Sequence, residues 1–335
     1  MRASPGNSKT AVIVSSLLTV LLFLVAGWVV LNRQYVVDQL VVWQYQPSSE
    51  VAQLAERAQM NDKGTFYFYA SEPQLDGTAK FNEVCKRQEE NSAILGCFTN
   101  GKIFVYNISD KRLNGVEEVT AAHEMLHAVY VRLSSSEKNH LNSLIDVEYQ
   151  KLLRSEDNDL KERMEYYART EPGERDNELH SIIGTEVSSI GDELEEYYSQ
   201  YFTGRQAIVA LHDSYSSKFD ELERSSTTLK SQLEQLSSEI NTMTSQYNSE
   251  IAVLNDDIET FNVRAQNGGF SDQSTFQAAR AALEGRVGVL TQTRSTIDTK
   301  VADYEVKRQA YNQTVDESNS LSRSLDSSLA PAPSI

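Results

Sequence analysis

From Asp213 to Leu325 the chain contains no proline, and apolar residues return every three or four positions, a pattern that long helices satisfy. One series runs Phe219, Leu222, Ser226, Leu229, Leu233, Leu236, Ile240, Met243 and Tyr247, takes an extra four-residue step to Ile251, and resumes at Leu254 and Ile258. A second runs Phe276, Ala279, Leu283, Val287, Leu290, Arg294, Ile297, Val301, Tyr304, Arg308, Tyr311 and Val315, with its extra step between Leu283 and Val287. Such a step is a stutter, which locally unwinds a coiled coil. A fold-back at Asn267-Gly268-Gly269 makes the two series mirror images. Ile258 then faces Phe276, Tyr247 faces Val287, Ile240 faces Arg294, Leu233 faces Val301, Phe219 faces Val315, and Ser226 faces Arg308. Arg294 fits this seam if its stem packs while its charged head reaches water. The mirrored register favours an all-α antiparallel coiled-coil hairpin over residues 213–325, with its tip near 267–269, over one long dimeric rod.

A second constraint lies at the other end. Ala11 to Leu31, AVIVSSLLTVLLFLVAGWVVL, carries no charge and has the ~20 residues that cross a bilayer core as a helix. Arg2, Lys9 and the amino terminus precede it, and Arg33 alone follows closely. The positive-inside tendency therefore keeps residues 1–10 in the cytoplasm and puts everything after 33 outside. The run exceeds the ~7–15 residues of a signal-peptide core, and VAGWVVLN offers no small-x-small cleavage site. An uncleaved single-pass transmembrane helix over 11–31 is expected, rather than a cleaved signal peptide.

The net charge of −17 argues against a nucleic-acid partner, which needs a basic face. Nothing resembles a phosphate-cradling glycine loop or a nucleophile elbow. Cys85 and Cys97 either join in a disulfide, as a location outside the cytoplasm permits, or are two small buried hydrophobes.

Between anchor and hairpin lie a membrane-proximal connector, residues 32–50, and a region of mixed strand and helix signals, residues 51–212. VAQLAERAQM has helical spacing, whereas GTFYFYAS is aromatic and β-rich and reads as a strand. ILGCFTNGKIFVYNIS places two β-rich runs around Asn100-Gly101, the strongest short-range hairpin signal. Tyr149 to Tyr167 reads as polar helix, broken by TEPGERDN. A final helix from about Glu178 carries Ile183, Val187, Ile190, Leu194, Tyr197 and Tyr201 on a core-facing stripe. Residues 326–335 read as a disordered tail.

The chemistry concentrates in TAAHEMLHAVYV, residues 120–131, which holds two of the five histidines. Four positions apart on a helix, His123 and His127 lie one above the other and present two imidazoles to one ion. Thr120, Ala121, Met125, Leu126 and Ala128 are uncharged and Val129 is apolar, so the helix can be buried around its ligands. Two histidines on so apolar a helix would be costly without partners, which favours a metal site over a surface helix with two pH-sensitive histidines. Downstream, NELHSIIGTE, residues 177–186, offers Glu178, Glu186 and His180 as a third ligand.

The order of strand, hairpin strand, HEMLH helix and later acidic helix resembles the zincin metallopeptidases, in their glutamate-ligand branch, over about residues 60–205. The resemblance implies an α+β zincin-like catalytic domain with Zn2+ bound by His123, His127 and a downstream glutamate. Glu124 would be the general base, and one metal position would stay open to water. Glu178 best fits the family's pattern, with the small Ser181 three positions later and an NE…GT similar to the thermolysin-type helix; Glu186 and then His180 are the alternatives. Ile182 stands where the family often has an aspartate, so the carboxylate behind the histidine ligands is missing or comes from elsewhere. Tyr167 resembles the family's oxyanion-stabilising residue in placement, with Tyr166 and His180 as alternatives and simple packing as the bland account of the tyrosines. Lys102–Ile108 matches the edge strand along which zincins lay an extended peptide, which favours endopeptidase action.

The expected function is therefore that of an outward-facing, membrane-anchored zinc metallopeptidase acting on a peptide or protein substrate. Its hairpin would recruit a protein partner or cover the site. The competing reading is a non-catalytic cell-envelope scaffold, in which the hairpin binds partners and the zincin-like domain is a binding module.

Overall fold

The computed structural model describes residues 8–86, 94–154 and 158–328. Its elements are, in chain order, α1 (Ser8–Leu31), α2 (Arg33–Gln44), α3 (Ser49–Arg57), α4 (Asp62–Tyr69), β1 (Gln74–Asp76), α5 (Thr78–Val84), β2 (Gly96–Thr99), β3 (Lys102–Tyr106), α6 (Val116–Arg132), α7 (Ser135–Arg154), α8 (Asn158–Thr170), α9 (Arg175–Thr185), α10 (Asp192–Ser199), α11 (Arg205–Gln266) and α12 (Gln273–Leu325). The described residues are mostly helical, with one small three-stranded sheet among them. It divides into two compact units, residues 1–216 with 321–335, and residues 217–320.

In the first unit, Val12–Leu31 forms a helix long and apolar enough either to cross a membrane or to be a signal sequence, and none of that stretch is buried. The connector that follows is a helix rather than a loose linker. Asp38 on α2 is 3 % exposed and takes two hydrogen bonds of 2.9 Å from Arg132 at the end of α6.

The Asn100-Gly101 turn has positive φ at both residues, 52° and 77°, as a tight primed hairpin turn requires, and it pairs β2 antiparallel to β3. β1 pairs parallel to β3, giving the order β1-β3-β2. This overturns the expectation that Lys102–Ile108 is the open edge. β3 is the central strand, and its second partner is too short and too polar in sequence to read as a strand. The edge beside α6 is β2. Cys85 and Cys97 are joined in a disulfide, which ties the end of α5 to that edge strand.

Two other expectations are corrected. GTFYFYAS is not a strand. The side chain of Asn61 accepts from the backbone N–H groups of Lys63 and Gly64, capping α4 and overriding the β-propensity of its aromatic run. The final helix from Glu178 is interrupted, because α9 stops at Thr185 and α10 starts only at Asp192. The guanidinium of Arg205, 4 % exposed, donates to the carbonyls of Ile183, Val187 and Ser188. It thereby satisfies one orphan acceptor in the last turn of α9 and two carbonyls of the segment beyond it, which stabilises the stop there. Residues 1–7 of the expected cytoplasmic segment and 329–335 of the expected tail lie outside the described residues. Ser327, within that tail, is buried and exchanges hydrogen bonds with Asn82.

α11 and α12 fold back around residues 267–272, and their ladder is antiparallel. Lys218 pairs with Glu317, Lys300 with Glu239, and Arg286 with Asp257. At the tip Phe261, Phe270 and Phe276 cluster with centroids 5.3 Å apart. The series expected on α11 lies at least partly buried throughout. On α12 the expected seam holds at Leu290, Ile297, Tyr304, Tyr311 and Val315 but fails, after Leu283, at the four positions that alternate with them. Val287 and Val301 are 47 % and 42 % exposed, and Arg294 and Arg308 face solvent. From Leu290 to Thr314 the inward positions include Leu290, Thr293, Ile297, Lys300, Tyr304, Lys307, Tyr311 and Thr314. These keep an unbroken heptad, with lysine stems packing while their ammonium groups reach out, as Lys300 does to Glu239. Aliphatic periodicity alone misses a seam built on such stems.

Candidate metal centre

α6 is buried on almost every side between Val116 and Tyr130. Two glycines let its neighbours come that close. A Cβ on Gly184 of α9 would sit 2.5 Å from Leu126 Cδ1, and one on Gly96 of β2 would sit 2.5 Å from Thr120 Cγ2 and 2.7 Å from Glu124 Oε1. Helix α9 and strand β2 are thus pressed onto the segment that carries His123, Glu124 and His127.

The two imidazoles have ring centroids 4.7 Å apart. Glu178, in the first turn of α9, reaches both, with Oε2 3.7 Å from His123 Nε2 and Oε1 3.4 Å from His127 Nε2. A tetrahedral ion with bonds of ~2.0–2.1 Å holds its donors ~3.3 Å apart, whereas a charge-assisted hydrogen bond draws them to ~2.7–2.9 Å. Both gaps are longer than such a hydrogen bond, and the three side chains could hold one ion between them. Among the described residues, His123, His127 and Glu178 form the one group of three histidine, cysteine or acidic side chains placed to hold a metal.

The rest of the site prepares these donors. His127 Nδ1 lies 3.0 Å from Asn177 Oδ1 and 3.3 Å from Ser181 Oγ, and Asn177 Nδ2 donates to Glu174 Oε2 at 2.9 Å. With its amide nitrogen committed to Glu174, Asn177 presents an oxygen to the ring. His127 therefore carries its proton on Nδ1 and offers a lone pair on Nε2. Ile182 offers the ring no polar side-chain group, and this relay reaches His127 through an amide and a hydroxyl. Its one sequence trace is an asparagine directly before Glu178, and its geometry depends on how α9 is rotated against α6.

Burial pushes Glu124 up to about 8, the charge of His123 opposing and those of Glu178 and Glu171 adding. Burial also acts to raise Glu178, but the two imidazoles outweigh it and hold that carboxyl below its usual range. Tyr167 is raised by burial and by the charge of Glu178, so its hydroxyl stays protonated at neutral pH. Its ring packs edge-on against Tyr166, 5.6 Å away.

The other candidates lie elsewhere. Glu186 caps the end of α9 and accepts a two-pronged pair from Arg163, with His212 Nε2 3.4 Å away. His180 is fully buried among the rings of Tyr130, Tyr197 and Tyr198, and neither ring nitrogen finds a hydrogen-bond partner among the described residues. Both follow from where α9 ends and how it turns. Neither can be read from spacing alone.

Comparison with protein-family models, with curated proteins and with solved structures returns no match for this chain.

Proposed function

We propose that this chain is a membrane-anchored zinc metallopeptidase that hydrolyses peptide bonds outside the cytoplasm, through a zincin-like domain over residues 51–212. One observation carries the reading: His123, His127 and Glu178 converge at metal-ligand spacing with the buried carboxyl of Glu124 on the same helix. Two imidazole nitrogens and one carboxylate oxygen are a donor set suited to catalytic zinc. When bound, the ion supplies a Lewis acid that polarises a carbonyl and acidifies water.

Glu124 takes the proton from the attacking water and passes it to the leaving amine. The burial that raises its pKa helps it hold that proton, and a nearby cation opposes the rise so that it can first act as a base. Tyr167, protonated beside Glu178, is the candidate donor to the developing oxyanion. β2 crosses Thr120 and Glu124, and its outer side has no partner strand among the described residues. An extended peptide pairing there would lie over the catalytic carboxyl, with affinity drawn from backbone hydrogen bonds. The charge flanks of α1 support an N-terminus inside and a catalytic unit outside, and the Cys85–Cys97 disulfide accords with an oxidising compartment.

The test uses the full chain in detergent. About one zinc per chain is expected, with hydrolysis of a quenched fluorescent peptide library lost to chelation and restored by zinc. Glu124→Gln should keep the metal and lose roughly 100-fold or more in rate. A chain without zinc, or a Glu124→Gln variant of unchanged activity, would end the reading.

A further inference from the structure

We propose that the outer face of α2 lies in the headgroup region of the bilayer crossed by α1, so that the first unit rests on the membrane rather than hanging from a linker. The inference depends on α1 being an anchor. One residue, Asn32, separates the two helices, and its φ of −111° and ψ of 30° leave the helical region, so the chain bends there.

The inner side of α2 is fixed to the unit. Asp38 is locked to Arg132 of α6, the Tyr45 hydroxyl donates to the Pro73 carbonyl, and the ring of Tyr35 packs 5.8 Å from that of Phe66. The opposite side carries Val37, Leu40 and Trp43, which are 46 %, 47 % and 75 % exposed. At ~100° per residue, Leu40 and Trp43 sit ~160° and ~140° around the helix from Asp38, and the exposed Arg33 falls on the same side. Two aliphatic side chains, a tryptophan and an arginine on one face are what the headgroup boundary favours: the apolar groups dip in and the guanidinium meets phosphate.

Reach supports the same occupant. Trp43 lies twelve residues past Leu31, within ~18 Å of the apolar span even along a straight path. The chain's net charge of −17 opposes attraction to anionic lipid, so contact must come from apolar insertion and should survive high salt. Because Arg132 belongs to α6, this contact would hold the candidate metal helix at a fixed height above the bilayer.

The chain has two tryptophans, Trp28 in α1 and Trp43 in α2, and each reports on one claim. The full chain is reconstituted in phosphatidylcholine vesicles containing lipid brominated near the headgroup or deep in the acyl chain. With Trp28→Phe, the emission of Trp43 should be blue-shifted and quenched severalfold more by the shallow label than by the deep one. It should also be shielded from aqueous acrylamide at both low and 1 M salt. A Trp43 open to acrylamide and untouched by brominated lipid overturns the proposal. So does one protected from both, which would mean that a protein surface, such as a second copy, covers it. With Trp43→Phe, Trp28 should be quenched by brominated lipid. If it is not, the anchor reading fails and takes this proposal with it, whereas a lipid-buried Trp28 beside a water-exposed Trp43 defeats the proposal alone.

Discussion

Asn177 accepts from the imidazole of His127 while donating to Glu174, so one amide sets the tautomer of a candidate metal ligand. Removing it with Asn177→Ala should weaken zinc binding by roughly 10- to 100-fold in chelator competition, while the buried helix pair stays folded. Equal affinity would show that Ser181 suffices to hold the ring. His180 makes the opposite case. Burial holds its pKa well below the usual 6.5, and neither nitrogen is satisfied among the described residues. Below pH 6.5 the unfolded chain takes up a proton that the folded chain refuses. Stability is therefore complete above that pH and declines as pH falls towards the folded-state pKa. His180→Phe keeps a ring between Tyr130, Tyr197 and Tyr198 and removes this linkage. Its denaturation midpoint should depend less on pH between 6.5 and 5 than that of the parent chain, and an unchanged pH slope would refute the assignment. At this scale His123, Glu124 and His127 are legible in the sequence, because helical spacing is local. Glu178 is favoured over Glu186 there only through the family resemblance, and Asn177 and Glu174 are not legible at all, since they depend on how α9 is rotated against α6.

Among the elements, glycine separates packed helices from solvated ones. A Cβ on Gly184 would meet Leu126 Cδ1 at 2.5 Å and Tyr198 Cε1 at 2.7 Å, whereas Gly288 on α12 has nothing within 4 Å. The same substitution should therefore have opposite signs. Gly184→Ala must push α9 off α6, costing about 1–3 kcal/mol of overpacking and drawing Glu178 away from the histidines. Gly288→Ala should stabilise its helix by about 0.5–1 kcal/mol, through lost freedom in the unfolded chain. Denaturant midpoints of the two variants, with zinc affinity measured for the first, check the pair; a tolerated Gly184→Ala would mean that the α6–α9 contact does not govern the site. The sequence marked both helices of the hairpin and the Asn100-Gly101 turn, where periodicity and turn chemistry are strong. It misplaced α4 because an N-cap outweighed aromatic β-propensity, and it misread the edge of the sheet because β1 is three residues long. Strand order is a long-range property that short runs do not carry.

Across the whole molecule, the candidate metal ligands all lie in the first unit, which also holds nearly all of the fully buried apolar side chains. Residues 217–320 bury little beyond Leu222, Leu254 and Leu290, and their stability comes from one long helix–helix seam. A ligand stabilises only the cooperative unit whose folded form binds it. Calorimetry of the full chain in detergent should therefore show two transitions. Zinc at a hundredfold excess over its dissociation constant adds about 2.7 kcal/mol to the first unit, which for a unit of that size raises its midpoint by roughly 5–10 °C. The hairpin's transition should stay in place. Gly288→Ala should do the reverse, moving the hairpin's transition and leaving the zinc-sensitive one unchanged. A single transition shifted by both perturbations would mean that α11, which runs unbroken through residue 216, transmits cooperativity from the metal centre into the hairpin. In that case a partner bound to the hairpin would act on metal affinity with the same coupling energy.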